Sequence, residues 1–204
     1  MRKYIDLSDA VLIGTGDHKK VFISPADMRK CIKVLFRTPD EDLERELAYR
    51  KSREKRGLKS KLLTTYFGTV ETNLGTGYVF EHVVDYDGST SKTLAQLFKN
   101  AAADKRLIPE VTQVMCKFKA MCFEELISVS NVEPGNFMVQ RYSENDFTVR
   151  IIDNIGSSAF IPLPYYFDCV AKFRAKKYWN RFLSELQKDY PAVMTAELKE
   201  KLVI

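Results

Sequence analysis

Asn136 and Asp153 carry the most chemical information in this chain of 204 residues. Phe137-Met138-Val139-Gln140-Arg141-Tyr142 reads as one short strand and Phe147-Thr148-Val149-Arg150-Ile151-Ile152 as another. The polar cluster Ser143-Glu144-Asn145-Asp146 between them reads as a turn. Folding about the centre of that turn sets Asn136 directly opposite Asp153, with Cβ atoms roughly 4.5–5.5 Å apart. A carboxamide oxygen and a carboxylate then converge just beyond the strand ends. Two hard oxygen donors so placed suit Mg²⁺ carried on a nucleotide. The same pattern also fits a capped hairpin with polar turn residues and no ligand.

Two further features need a position. Gly14-Thr15-Gly16-Asp17-His18-Lys19 approaches G-x-G-x-x-G with lysine at the third glycine. A dinucleotide site requires a helix to start at such glycines, and here the chain continues as a strand. No G-K-S/T follows, which excludes a P-loop. The remaining reading is a strand–turn–strand flap whose backbone N–H groups could cover phosphates, or a plain tight hairpin. Lys33 sits mid-strand in Cys31-Ile32-Lys33-Val34-Leu35. A lysine among apolar neighbours needs a path to water or an anionic partner, either a phosphate or a helix glutamate. Glu44 and Glu46 flank the Leu43/Leu47 stripe of the next helix, and helical geometry does not choose between them.

These residues demand particular elements. Strands are expected over residues 10–14, 20–24 and 30–36. A helix follows, with Thr38 as N-cap, Pro39 at the first position, Glu41 closing a capping box and Gly57 past its end. Strands over 62–71 and 78–84 complete the first half. The second half is mostly helical, over 92–100, 110–128 and 165–190, with apolar residues at helical spacing.

Composition sets outer bounds. An apolar share of 45% and a charged share of 29% describe a globular chain. The length allows one domain, or two small lobes sharing a cleft. The net charge is +5 and the isoelectric point near 8.9, mildly basic. Lys51, Arg53, Lys55, Arg56, Lys59 and Lys61 form the densest positive run. No aromatic residue interleaves it, which argues against nucleic acid and for an exposed helix end whose cations favour the dipole. Lys172, Arg174, Lys176, Lys177 and Arg181 likewise read as the solvated face of an amphipathic helix. The cysteines Cys31, Cys116, Cys122 and Cys169 are widely spaced, with no CxxC pair and only His18 and His82 to join them. Zinc is therefore not expected, and free thiols point to a reducing, cytoplasmic setting. No apolar run approaches the roughly 20 residues of a membrane span. The N-terminus is not a conventional secretory signal, and a non-classical export route into a host cell stays open.

A glycine flap, a strand lysine, a glutamate-bearing helix, two more strands, helices and an Asn/Asp hairpin follow the order of parts in a protein kinase. The chain resembles the protein kinase-like superfamily over most of its length. It is most similar to the small bacterial YrbL-like group of PhoP-regulatory-network proteins. Gly14-Thr15-Gly16 with His18-Lys19, Cys31-Ile32-Lys33, Arg45-Glu46-Leu47, Phe67-Gly68-Thr69-Val70-Glu71-Thr72 and Gly75-Thr76-Gly77-Tyr78-Val79 carry the resemblance. So do Pro134 with Asn136, Asp153-Asn154-Ile155-Gly156, and Ile161-Pro162-Leu163.

The resemblance implies an α+β, two-lobed, protein kinase-like fold. Residues 1–84 would form a five-stranded antiparallel N-lobe with one helix, and residues 85–204 a reduced, mostly helical C-lobe, one kinase-like domain in all. It implies ATP with Mg²⁺ or Mn²⁺, and transfer of the γ-phosphate to protein serine or threonine. Gly14, Gly16, His18, Lys19 and Val21 would form the nucleotide flap. Lys33 would hold the α- and β-phosphates with Glu46 as its partner. Phe80-Glu81-His82-Val83 resembles the hinge, where the backbone at Glu81 and Val83 would meet adenine. Asn136 and Asp153 would bind the metal.

Two departures from the kinase pattern matter. Counting back from Asn136, the catalytic-base position of H-R-D-L-x-x-x-N holds Asn131, and the lysine position two residues on holds Glu133. Asparagine cannot accept a proton as a carboxylate does, whereas Glu133 could act as a displaced base. General-base help contributes about 10²–10⁴-fold, so a slow kinase is physically allowed. A pseudokinase acting as a regulatory binding module is the alternative that Asn131 favours. No Ala-Pro-Glu motif follows Gly156, and the stretch to Ile204 is short for substrate-docking helices. A kinase acting on a small molecule or sugar is therefore also open, and any protein substrate or partner would dock elsewhere, for instance on the basic helix.

Overall fold

The computed structural model describes residues 4–37, 40–156 and 163–204. The protein is mixed α+β and packs as two compact units. One comprises Met1–Glu41 with Thr64–Thr90, the other Asp42–Leu63 with Ser91–Ile204. A division at residue 84 follows chain order, whereas this grouping follows packing and sets residues 42–63 with the second unit.

The first unit is built on one sheet. Its strands are β1 (Tyr4–Ile5), β2 (Leu12–Thr15), β3 (Lys19–Ser24), β4 (Asp27–Leu35), β5 (Tyr66–Thr72) and β6 (Gly75–Glu81), in the order β1-β5-β6-β4-β3-β2. The sheet thus has six strands rather than the five expected, and β1 runs parallel to β5, pairing Tyr4 with Glu71 and Ile5 with Thr72. A two-residue strand is too short to show the alternation by which strands are recognised. Ile5, Leu7, Phe22, Ile32, Val34, Val70 and Val79 form the core on one face. Gly77 lies inside it, where an added Cβ would stand 2.5 Å from Ile32 Cγ2, so only glycine fits there. Because strand side chains alternate, Lys33, between Ile32 and Val34, points to the opposite face.

The second unit takes in α1 (Glu41–Lys55) from Asp42 onward, and the helix buries Leu43, Glu46, Tyr49 and Arg53. That helical spacing gives one inward stripe. The expected capping box falls on Thr38 and Pro39, outside the described residues, and the helix itself starts at Glu41. Next come β7 (Lys92–Thr93), α2 (Leu94–Ala103) and α3 (Ile108–Glu125). A helix was expected from residue 92, but Lys92 and Thr93 pair with Val139 and Met138 instead. Thr93 then caps α2 in a reciprocal box with Gln96.

The hairpin follows as β8 (Phe137–Arg141) and β9 (Phe147–Ile151), close to the expected strands. Then come α4 (Asp168–Asp189) and a short α5 (Ala196–Leu202) that hydrophobic periodicity did not reveal. Phe118, Phe137, Trp179 and Phe182 interlock at the centre of the core, with ring centroids 4.8–6.1 Å apart. Trp179 Nε1 donates to the Leu202 carbonyl at 2.9 Å, which fastens α5 to α4. The basic residues Lys172, Lys176, Lys177 and Arg181 are exposed, as an amphipathic helix requires. Phe173, one of the apolar residues of the 165–190 stretch, is 71% exposed. Among the described residues no helix is long and apolar enough to cross a membrane.

Candidate functional site

In the first unit, β2 and β3 form the flap that the glycines required. Val21 pairs with Gly14, the Gly16 N–H donates to the Lys19 carbonyl at 2.9 Å, and the Phe36 N–H donates to the His18 carbonyl at 3.0 Å. No helix begins at Gly14-Thr15-Gly16, in keeping with the exclusion of a dinucleotide fingerprint. His18 is exposed and Lys19 half-buried.

Lys33 is only 5% exposed, and its Nζ stands 4.3 Å from the centroid of the Phe80 ring. Phe80 pairs with Cys31, two residues before Lys33, so both project from one face of the sheet. A buried ammonium beside an aromatic face keeps part of its lost hydration energy through the ring quadrupole. The segment after β6 is tied down at several points. The Glu81 N–H donates to the Thr65 carbonyl at 2.8 Å, and the Thr65 N–H donates to Glu81 Oε2 at 2.9 Å. The His82 N–H donates to the Arg29 carbonyl at 2.9 Å. The ring of His82 is buried, with Nδ1 2.8 Å from the Met28 carbonyl and Nε2 3.0 Å from Thr90 Oγ1. A carbonyl only accepts, so Nδ1 carries the proton. Val83 is buried beside it.

In the second unit, burial distinguishes the two helix glutamates. Glu44 is exposed, whereas Glu46 is fully buried. Arg50, one turn on, reaches Glu46 Oε1 with Nε at 2.8 Å and Nη2 at 2.6 Å. That charge-assisted pair holds a carboxylate inside the unit.

The hairpin register differs by one residue from the expected one. Phe137 pairs with Ile151 and Arg141 with Phe147, so Asn136 faces Ile152 rather than Asp153. The Ile152 N–H donates to the Asn136 carbonyl at 3.0 Å, continuing the ladder one step past the strands. The turn has five residues, closed by the Tyr142 N–H donating to the Asp146 carbonyl at 2.8 Å, and its centre is Glu144. A four-residue turn centred between Glu144 and Asn145 gives the other register, and a slip of one exchanges faces. Asn136 and Asp153 therefore leave the hairpin at adjacent, not opposed, positions.

Hydrogen bonds lock the loops that carry them. Val129 bridges Ile155, the Gly156 N–H donates to the Ser128 carbonyl at 2.8 Å, and the Ser130 N–H and Oγ both donate to the Asn154 carbonyl, at 2.8 and 3.1 Å. Asn154 and Gly156 take positive φ, 58° and 103°, which turns the chain sharply after Asp153. An added Cβ at Gly156 would meet Arg45 Cγ and the Tyr165 hydroxyl at 2.9 Å and the Arg45 carbonyl at 3.1 Å. Asn131 Nδ2 donates to Glu133 Oε1, so the residue at the base position orients the carboxylate two residues on. Asn136 Nδ2 is buried with no acceptor among the described residues. Among those residues no group of three or more His, Cys, Asp or Glu could hold a metal unaided.

The family described as PhoP regulatory network protein YrbL matches residues 5–187. The YrbL proteins of Escherichia coli strain K12 and of Shigella flexneri are each 31% identical over 194 residues, covering 91% of this chain and 92% of their own. The chain belongs to the YrbL family. The span shared with YrbL includes every candidate residue from Gly14 to Asp153.

Several residues that shape this region were not legible in the sequence. Tyr49 lies at helical spacing from Glu46 and reads as plain core, yet its hydroxyl accepts the Ser128 N–H at 3.1 Å. Arg53 was read within a solvated basic run. It is 8% exposed and donates to the Lys59 carbonyl at 2.9 Å and the Glu125 carbonyl at 3.4 Å. Its position on the Leu43/Glu46/Tyr49 stripe was the available signal.

Proposed function

We propose that this YrbL-family protein is an ATP-dependent phosphotransferase of the protein kinase-like superfamily, with the two-lobed fold of that superfamily. In this reading it transfers the γ-phosphate of ATP to a protein serine or threonine. The observation that carries it is the fastening of Asp153-Asn154-Ile155-Gly156 to the 128–130 loop, next to the Asn136 end of the same hairpin. Asn136 Oδ1 and the Asp153 carboxylate are donors that fit Mg²⁺, and with no cluster of three or more His, Cys, Asp or Glu among the described residues they suit a cation that arrives on phosphates. When bound, the ion would neutralise phosphate charge. The buried Asn136 Nδ2 is a donor that a phosphate oxygen would satisfy. Lys33 would hold the α- and β-phosphates from its place on β4, beside the Phe80 ring.

Glu133 is exposed, and Asn131 orients it, which supports Glu133 as the group that takes the proton from an incoming hydroxyl. The test is incubation with γ-labelled ATP, Mg²⁺ or Mn²⁺ and a cell lysate, with Asp153→Ala as control. Label that reaches the protein itself or a lysate protein, and is lost in Asp153→Ala, supports the enzyme. Asn131 in place of aspartate favours a second reading, a pseudokinase that serves as a regulatory binding module. Transfer at the level of Asp153→Ala, with nucleotide binding intact, supports that one.

A further inference from the structure

A cavity of about 330 Å³ lies within the second unit, between the C-terminal end of α1, the end of α3 and the start of α4. It includes none of the residues assigned above to nucleotide, metal or proton transfer. Its size is at the lower end of small-molecule sites, roughly 300–1,000 Å³. Tyr49, Tyr165 and Leu58 give it apolar walls, and Arg53, Arg56 and Lys59 bring three cations.

Arg53 is the unusual member. It is more than nine-tenths buried, yet its partners are neutral: the Lys59 and Glu125 carbonyls and the Tyr49 hydroxyl. Its Nε makes no hydrogen bond, and no carboxylate among the described residues pairs with it. A buried guanidinium without a counter-charge is costly, and an anion in the cavity would relieve that cost.

Among the described residues none of the acids nearby forms an ion pair with Arg53. Both oxygens of Glu125 are already engaged, one by Ser60 Oγ and the other by the Lys61 N–H at 2.9 Å. Glu124 is exposed. Asp168 is 77% exposed at the rim, 3.9 Å from Arg56. The 22-residue helix α4 also starts here without a side-chain cap at Phe167, so its first N–H groups add positive potential.

We propose that this cavity binds a small organic anion, a carboxylate or phosphate monoester on a flat apolar body. Arg53 and Arg56 take the charge, while Tyr49 and Tyr165 pack the body. Tyr49 accepts the Ser128 N–H, and Tyr165 stands against Gly156, so occupancy firms the loops on either side of Asp153.

Calorimetric titration of the full chain with phenyl phosphate, benzoate and neutral phenol tests this. The expected result is that at least one anion binds with a dissociation constant of about 1 mM or tighter, and phenol at least about tenfold more weakly. Arg56→Gln, at an exposed position, should weaken the anion about tenfold, the loss of one charge-assisted hydrogen bond. Ser52→Trp should fill the cavity and abolish binding. Lys33→Met should leave binding unchanged. The proposal is overturned if neither anion binds at about 10 mM, if phenol binds equally well, if Arg56→Gln binds like the unaltered chain, or if Lys33→Met removes binding.

Discussion

The Tyr49 hydroxyl accepts a hydrogen bond from the backbone N–H of Ser128 at 3.1 Å, across 79 residues of sequence and inside the protein. The Ser128 carbonyl in turn accepts the Gly156 N–H at 2.8 Å. One helix side chain thus fixes the loop on which the turn after Asp153 hangs. Tyr49→Phe keeps the ring and strands a buried N–H, which costs about 1–3 kcal/mol. Urea unfolding should show a lower midpoint with an unchanged slope. An unchanged midpoint would mean that Ser128 finds another acceptor.

Gly156 combines a φ of +103° with three close neighbours, one of them the Arg45 backbone carbonyl, which cannot swing aside. Gly156→Ala should therefore destabilise by at least about 2 kcal/mol, from backbone strain and crowding together. Gly135 has open space around its Cβ direction, and Gly135→Ala should stay within about 1 kcal/mol of the parent. Equal effects of the two substitutions in thermal unfolding would contradict this account.

Burial pushes the Cys122 thiol well above its ordinary value of 9.0, and the Glu125 carboxylate adds to the shift. Cys169 is exposed. Iodoacetamide at about pH 8 should modify the exposed Cys169 quickly and the half-buried Cys122, whose thiolate is disfavoured, much more slowly. The folded chain holds the Cys122 proton more tightly than the unfolded chain does. This contribution to stability is therefore complete below the ordinary value and lost as pH rises from there towards the folded one. Cys122→Ala should flatten that alkaline loss, and mass mapping of the alkylated residues checks the order of reaction.

Much of this architecture is legible in the residues because local and global signals agree. Short apolar runs mark β3, β4 and β6, the glycines mark the flap, and inward stripes mark α1, α3 and α4. The misses have distinct physical origins. Tyr4–Ile5 is too short for periodicity to register. Lys92–Thr93 is a strand only because β8 lies beside it. The Asn136/Ile152 register depends on whether the turn holds four or five residues, and Ser143-Glu144-Asn145-Asp146 satisfies either count until Tyr142 joins it. Glu46 and Glu44 are equivalent on a helical wheel, and only tertiary packing buries the first. Arg53 illustrates the reverse error, in which a dense basic run hid one member that faces inward.

Lys33→Met removes a buried charge and keeps a side chain able to pack on Phe80, so the chain should still fold. Stabilisation of the protein by ATP with Mg²⁺ should disappear at the same time. Thermal unfolding with and without nucleotide separates the two effects. A variant that loses stability but retains the nucleotide shift would assign Lys33 a structural part only.

The most direct measurement is equilibrium binding of ATP, with and without Mg²⁺, to the unaltered chain and to Asp153→Ala. The account predicts saturable binding by the unaltered chain that Mg²⁺ strengthens, and an Asp153→Ala variant in which Mg²⁺ no longer adds to affinity. Absence of ATP binding by the folded, unaltered chain would contradict it.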